Sequence, residues 1–180
     1  MKINYLIICL VALLVIYPIF RPGFLVAMDN PEHMLESYLM VDMLKETKWV
    51  NGWSMSAFAG FPLGAYPKYQ IGILSVAFLN LLFNIPIEIA YKLILYASYA
   101  FAACSLYFLI SRRFGRLPAI VSAIFFLLIR RDVIVIVLGG IWNNFIGIGF
   151  MFLFMHYTDL FFKRDTFKNV YRSFFDFRKL

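Results

Sequence analysis

Apolar runs punctuated by short polar breaks fill most of the chain, and one polar stretch, residues 28–70, interrupts them. The first run, 3–20, is almost wholly apolar and follows Lys2. No small-x-small cleavage site closes it; Tyr17, Pro18 and Arg21 stand there instead. It therefore reads as an uncleaved anchor and not as a removable leader. Asn30 and Pro31 then open a helix, Asn as N-cap and Pro in the first turn with Glu32. Over 31–45, Leu35, Tyr38, Leu39 and Met43 recur at helical spacing with Glu32, Glu36 and Asp42 elsewhere on the wheel. That pattern predicts an amphipathic helix lying along a membrane surface. Residues 49–66 are rich in Gly, Ser, Pro and aromatics and read as an ordered loop at headgroup depth.

The run 69–83 is apolar but short for a crossing, and ends at Asn84-Ile85-Pro86. Residues 87–110 make a comfortable crossing, followed at once by Arg112, Arg113 and Arg116. A shorter span, 117–129, is closed by Arg130 and Arg131, long side chains that can snorkel to the interface. Residues 141–162 form the last crossing, and a basic tail occupies 163–180.

Charge decides between two topologies. If 69–83 crossed, the Arg112 cluster and the basic tail would both face outward. If it lies in the interface, Lys2, the Arg112 cluster and the tail all fall inside, as the positive-inside rule prefers. The predicted fold is an all-α integral membrane domain spanning 1–180, with about four transmembrane helices. Two interfacial helices, 31–45 and 69–83, belong to a first outer loop, 21–86. The expected location is the cell membrane, multi-pass, with both termini cytoplasmic.

Composition agrees with the pattern. The chain is 63% hydrophobic and 15% charged, against about 25% charge in soluble domains. Its mean hydropathy is +0.80. A net charge of +7 raises nucleic acid as a partner, but no basic run is interleaved with exposed aromatics, so that class is set aside. Cys9 and Cys104 fall inside apolar runs and read as small buried hydrophobes. No P-loop, dinucleotide fingerprint, zinc spacing or nucleophile elbow occurs.

The polar stretch holds the motifs. Asp29 stands just before the helix that carries His33; Trp49 to Trp53 spell Trp-x-x-Gly-Trp; Gly60-Phe61-Pro62 and Tyr66-Pro67 follow. Arg112-Arg113-Phe114-Gly115 and Gly139-Gly140 lie farther on. Together they resemble the amino-terminal part of GT-C class membrane glycosyltransferases. The likeness is greatest to archaeal and bacterial members described as pyruvoyl-tetrahydropterin-synthase-related membrane proteins. The resemblance implies a polyprenyl-phosphate sugar donor, an acceptor at the extracytoplasmic face, and an acidic residue of the first loop at the reaction centre. Members of that class are several times longer, so it also implies an incomplete chain, or a second chain supplying the missing helices.

On that reading Asp29 is the catalytic carboxylate, taking a proton from the acceptor or holding a divalent cation, Mg or Mn, against the leaving phosphate. Its bland alternative is a solvated helix-start carboxylate. His33, four residues on, would orient the carboxylate or share the metal, and Glu36 would assist from the same face. Tyr66, Lys68 and Arg131 are candidates to meet the lipid phosphate at headgroup depth, against ordinary snorkelling and anchoring. Lys92 lies about a turn inside a crossing and has Glu88 as a ready i−4 partner. A non-catalytic scaffold or partner subunit is the rival reading. A transporter is third, because ionisable residues deep in several crossings are wanting.

Overall fold

A computed structural model describes residues 2–23, 30–47, 52–54, 61–63, 67–129 and 142–163. The described residues are helical apart from one small pair of strands and the short turns between helices. In chain order they form α1 (Lys2–Ile16) with a 3-10 turn (Tyr17–Phe20), α2 (Asn30–Thr47), β1 (Gly52–Ser54), β2 (Phe61–Leu63), α3 (Pro67–Phe83), α4 (Ile87–Phe114), α5 (Arg116–Leu128) and α6 (Trp142–Lys163). Three helical stretches are long and apolar enough to cross a membrane: Ile3–Phe20, Ile87–Phe114 and Asn144–Phe162. They are consistent with a membrane protein. The helix of α5 has 13 residues, which at 1.5 Å each gives roughly 20 Å against a hydrocarbon core of about 30 Å.

α4 is the hub, packing against α1, α2, α3, α5 and α6. Its contact faces alternate small residues with tyrosines. Ala90, Ala102, Ala103, Ser98 and Ser105 are buried, as are Tyr91, Tyr99 and Tyr107. Small side chains let helices approach closely where lipid gives no hydrophobic drive to associate. One close approach is at Gly149 of α6: a Cβ there would overlap the Phe101 ring and meet the Ala102 Cα at 3.4 Å. Alanine can be taken up by a shift of the Phe101 ring. Gly149→Leu is expected to push α4 and α6 apart and lower stability by about 1–3 kcal/mol, the usual cost of overpacking; thermal unfolding in detergent measures it.

Side-chain contacts give the directions of the helices. Asn4 Nδ2 donates to Tyr107 Oη at 2.8 Å, Tyr96 Oη to the Cys9 carbonyl at 3.1 Å, and Lys92 Nζ to the Arg21 carbonyl at 2.9 Å. α1 is thus antiparallel to α4. Phe145 meets Tyr99 (5.2 Å between rings), Phe150 meets Phe101 (5.2 Å), and Asp159 meets Arg113 (3.1 Å), so α6 is parallel to α4. The exit of α1 and the entry of α4 therefore lie at one end of the bundle, and the intervening segment leaves and returns there. The start of α1 and the end of α6 share the other end.

Two turns explain how the chain reverses. Asn84, at φ +52°, ends α3 in the left-handed region that Asn tolerates, and Asn80 Nδ2 donates to the Ile85 carbonyl at 2.9 Å. Gly115 joins α4 to α5 at φ +88°, ψ 179°, a region essentially confined to glycine.

The sequence pattern leaves one packed face unidentified and misses one element. α2 does not bury Leu35 and Tyr38, which are 45% and 40% exposed; it buries His33, Met34, Ser37 and Val41. Apolar residues next to lipid are as comfortable outside a bundle as inside it, so hydrophobicity alone does not identify the packed side. Within the stretch read as a loop, β1 and β2 pair antiparallel, with Gly52 opposite Leu63 and Ser54 opposite Phe61.

Candidate functional site

The inward face of α2 is polar where it meets α4. Asn30, His33 and Ser37 recur at i, i+3 and i+7, one stripe of a helix, and all three are buried. Asn30 opens the helix and accepts a 2.7 Å hydrogen bond at Oδ1 from the hydroxyl of Tyr91, one turn into α4. Ser37 Oγ donates back to the His33 carbonyl at 2.8 Å, the local bond a serine inside a helix commonly makes. His33 Nδ1 lies 3.3 Å from Glu36 Oε2, with the two side chains only 6% and 12% exposed. A carboxylate against an imidazole fixes the orientation of the ring.

On the residue after Tyr91, Lys92 is buried and fully engaged. Its ammonium donates to Glu88 Oε1 at 2.6 Å, to the Gly23 carbonyl at 2.7 Å and to the Arg21 carbonyl at 2.9 Å. An ammonium has three donors, and here each has an acceptor. Gly23 has φ +102°, a conformation that glycine adopts without strain. This ammonium is a clasp between the segment after α1 and the start of α4.

The expected site residues divide as follows. His33 and Glu36 come together. Lys68 falls in the first turn of α3. Asp29, Tyr66 and Arg131 lie outside the described residues; in the sequence Asp29 directly precedes Asn30. Asp42 and Glu46 are exposed, as solvent-facing residues of α2 would be. Among the described residues no three His, Cys, Asp or Glu side chains gather as a metal would need. His33 and Glu36 supply two possible donors, and Asp29, the expected metal ligand, lies outside the described residues. Sequence reasoning missed Tyr91 and read Asn30 only as a cap. The available signal was a Tyr-Lys pair interrupting the apolar start of α4, where polar atoms need partners.

No family model, curated protein or solved structure matches the chain.

Proposed function

We propose that the chain is a GT-C-like membrane glycosyltransferase, or part of one, that moves a sugar from a polyprenyl-phosphate donor at the extracytoplasmic face of a cell membrane. In this reading α1, α4, α5 and α6 are the crossings. Lys2, the arginines around the α4–α5 turn and the basic tail then face the cytoplasm, as the Lys/Arg bias asks, and α2 and α3 lie at the outer interface. The observation that carries the proposal is the part-buried His33–Glu36 pair at 3.3 Å, with His33 four residues along from Asp29.

The reaction needs one proton acceptor. The acceptor's hydroxyl oxygen bonds to the anomeric carbon, the bond from that carbon to the phosphate oxygen breaks, and polyprenyl phosphate leaves with the electron pair. The hydroxyl proton passes to the Asp29 carboxylate. His33, held by Glu36, positions that carboxylate and steadies its charge, while Tyr66, Lys68 and Arg131 meet the donor phosphate. In membranes given a radiolabelled polyprenyl-phosphate hexose, Asp29→Asn and His33→Ala are each expected to cut transfer by roughly 10²–10⁴-fold, the range of a general base. Unchanged transfer at equal membrane levels removes the residue from the mechanism.

A non-catalytic partner subunit is the second reading. It is favoured by the way Lys92, Glu88, Asn30 and Tyr91 bond one another and the backbone, as a purely structural network does. It anticipates no transfer by any form of the chain alone, and co-purification with a chain that supplies further crossings.

A further inference from the structure

The end of the bundle opposite α2 carries a different chemistry. The start of α1, the end of α4, the start of α5 and the end of α6 meet there. Its described residues include Lys2, Arg112, Arg113, Arg116 and Lys163 against one acid, Asp159. That acid is already taken by Arg113 at 3.1 Å. Arg112 lies 5.6 Å over the Phe108 ring and is exposed, as is Arg116. Beside them, Phe114 and Leu117 are 69% and 74% exposed, one before and one after Gly115. α2, by contrast, carries Glu32, Glu36, Asp42 and Glu46 against Lys45.

Two properties of this turn point to a ligand class. Its three cations are all arginines, and the planar guanidinium fork matches phosphate oxygens bidentately where an ammonium acts as a point charge. Exposed apolar side chains alternate with the cations, Phe114 after Arg113 and Leu117 after Arg116, which is the profile of a segment at phosphate depth, with rings in the acyl layer and charges at the headgroups. We propose that the α4–α5 turn binds the phosphodiester of an anionic phospholipid, with Arg112 and Arg116 on the phosphate and Phe114 and Leu117 against the acyl chains. The proposal rests on the bilayer reading of α1, α4 and α6 and is independent of glycosyl transfer.

The full chain, reconstituted in nanodiscs of mixed phosphatidylcholine and phosphatidylglycerol, provides the test. Spin-labelled forms of each lipid report which is held at the protein surface. Phosphatidylglycerol should be preferred, and Arg112→Gln and Arg116→Gln should each reduce that preference by about two- to five-fold, as expected for a basic residue near the surface. Lys45→Gln, an exposed lysine on α2, should leave it unchanged. Equal association of the two lipids with the wild-type chain would overturn the proposal. So would a preference that survives in both arginine variants at unchanged helix content. Displacement of the labelled lipid by excess inorganic phosphate would assign the turn to a soluble anion and equally overturn it.

Discussion

Tyr99→Ala is expected to loosen the junction of α4, α5 and α6 by about 2–4 kcal/mol. Truncating a buried aromatic in a soluble core costs about 3–5 kcal/mol. Part of that is transfer from water, which largely vanishes when the separated helices stay in lipid. What remains is contact: Tyr99 is 1% exposed, and its ring lies 5.2 Å from Phe145 and 6.4 Å from Phe126. The hydroxyl adds a specific role. It donates to the Leu127 carbonyl, and α5 ends at Leu128, so this carbonyl is among the last four that no helical N–H satisfies. Tyr99→Phe keeps the ring and strips the cap, at about 1 kcal/mol. Reversible unfolding in mixed detergent, followed by circular dichroism, separates the two variants. Equal losses for Phe and Ala would mean that the ring contributes nothing beyond the hydroxyl.

Lys92→Met should cost a comparable amount, about 2–4 kcal/mol. Removing one partner of a buried ion pair costs about 3–5 kcal/mol because the other charge is left behind. The figure is discounted here because the Glu88 side chain is 26% exposed and can turn toward water. Methionine keeps the length of the stem, so the loss reports the ammonium and its three acceptors and not a cavity. Glu88→Gln retains a hydrogen-bond acceptor and both backbone carbonyls, and a loss of about 1 kcal/mol is expected. Hydrogen exchange adds a spatial readout: Lys92→Met should speed exchange at residues 21–23, and Glu88→Gln should not. A Lys92→Met protein as stable as wild type would show that the clasp does not hold these segments together.

How much of this was legible beforehand varies with the physics at each place. The long apolar helices follow from length and composition, because a bilayer of fixed thickness demands them. The Lys92–Glu88 pair follows from an i, i+4 spacing inside an apolar segment. The two carbonyls of Arg21 and Gly23 do not, since no side-chain pattern announces which backbone oxygen a lysine will meet some seventy residues away. Leu35 and Tyr38 were read as the membrane-facing side of α2, and the periodicity argument, which rests on the contrast between water and an apolar surround, did not single out the His33–Met34–Ser37–Val41 face that the bundle buries. For a helix between lipid and bundle that contrast weakens, and the polar stripe Asn30–His33–Ser37 is the better guide. The β1–β2 pair, three residues on each strand, is too short for an alternating pattern to register. The His33–Glu36 pair was readable as neighbours on one helix, whereas the Tyr91–Asn30 bond between α4 and α2 depended on tertiary packing.

The hub position of α4 bears on how such a chain enters a membrane. α1 emerges from the ribosome long before residue 87, so it has to rest in lipid without the helix it later packs against. Its composition suits that wait: the window Ile3–Phe20 has a mean hydropathy of 2.5 and is only 28% buried in the finished bundle. Ile87–Phe114 is less apolar, at 1.9, and 44% buried; it arrives with α1 already seated and finds its polar partners at the end where α1 came out. If these helices cross a bilayer, synthesis would order assembly, with the self-sufficient helix first and the dependent one second.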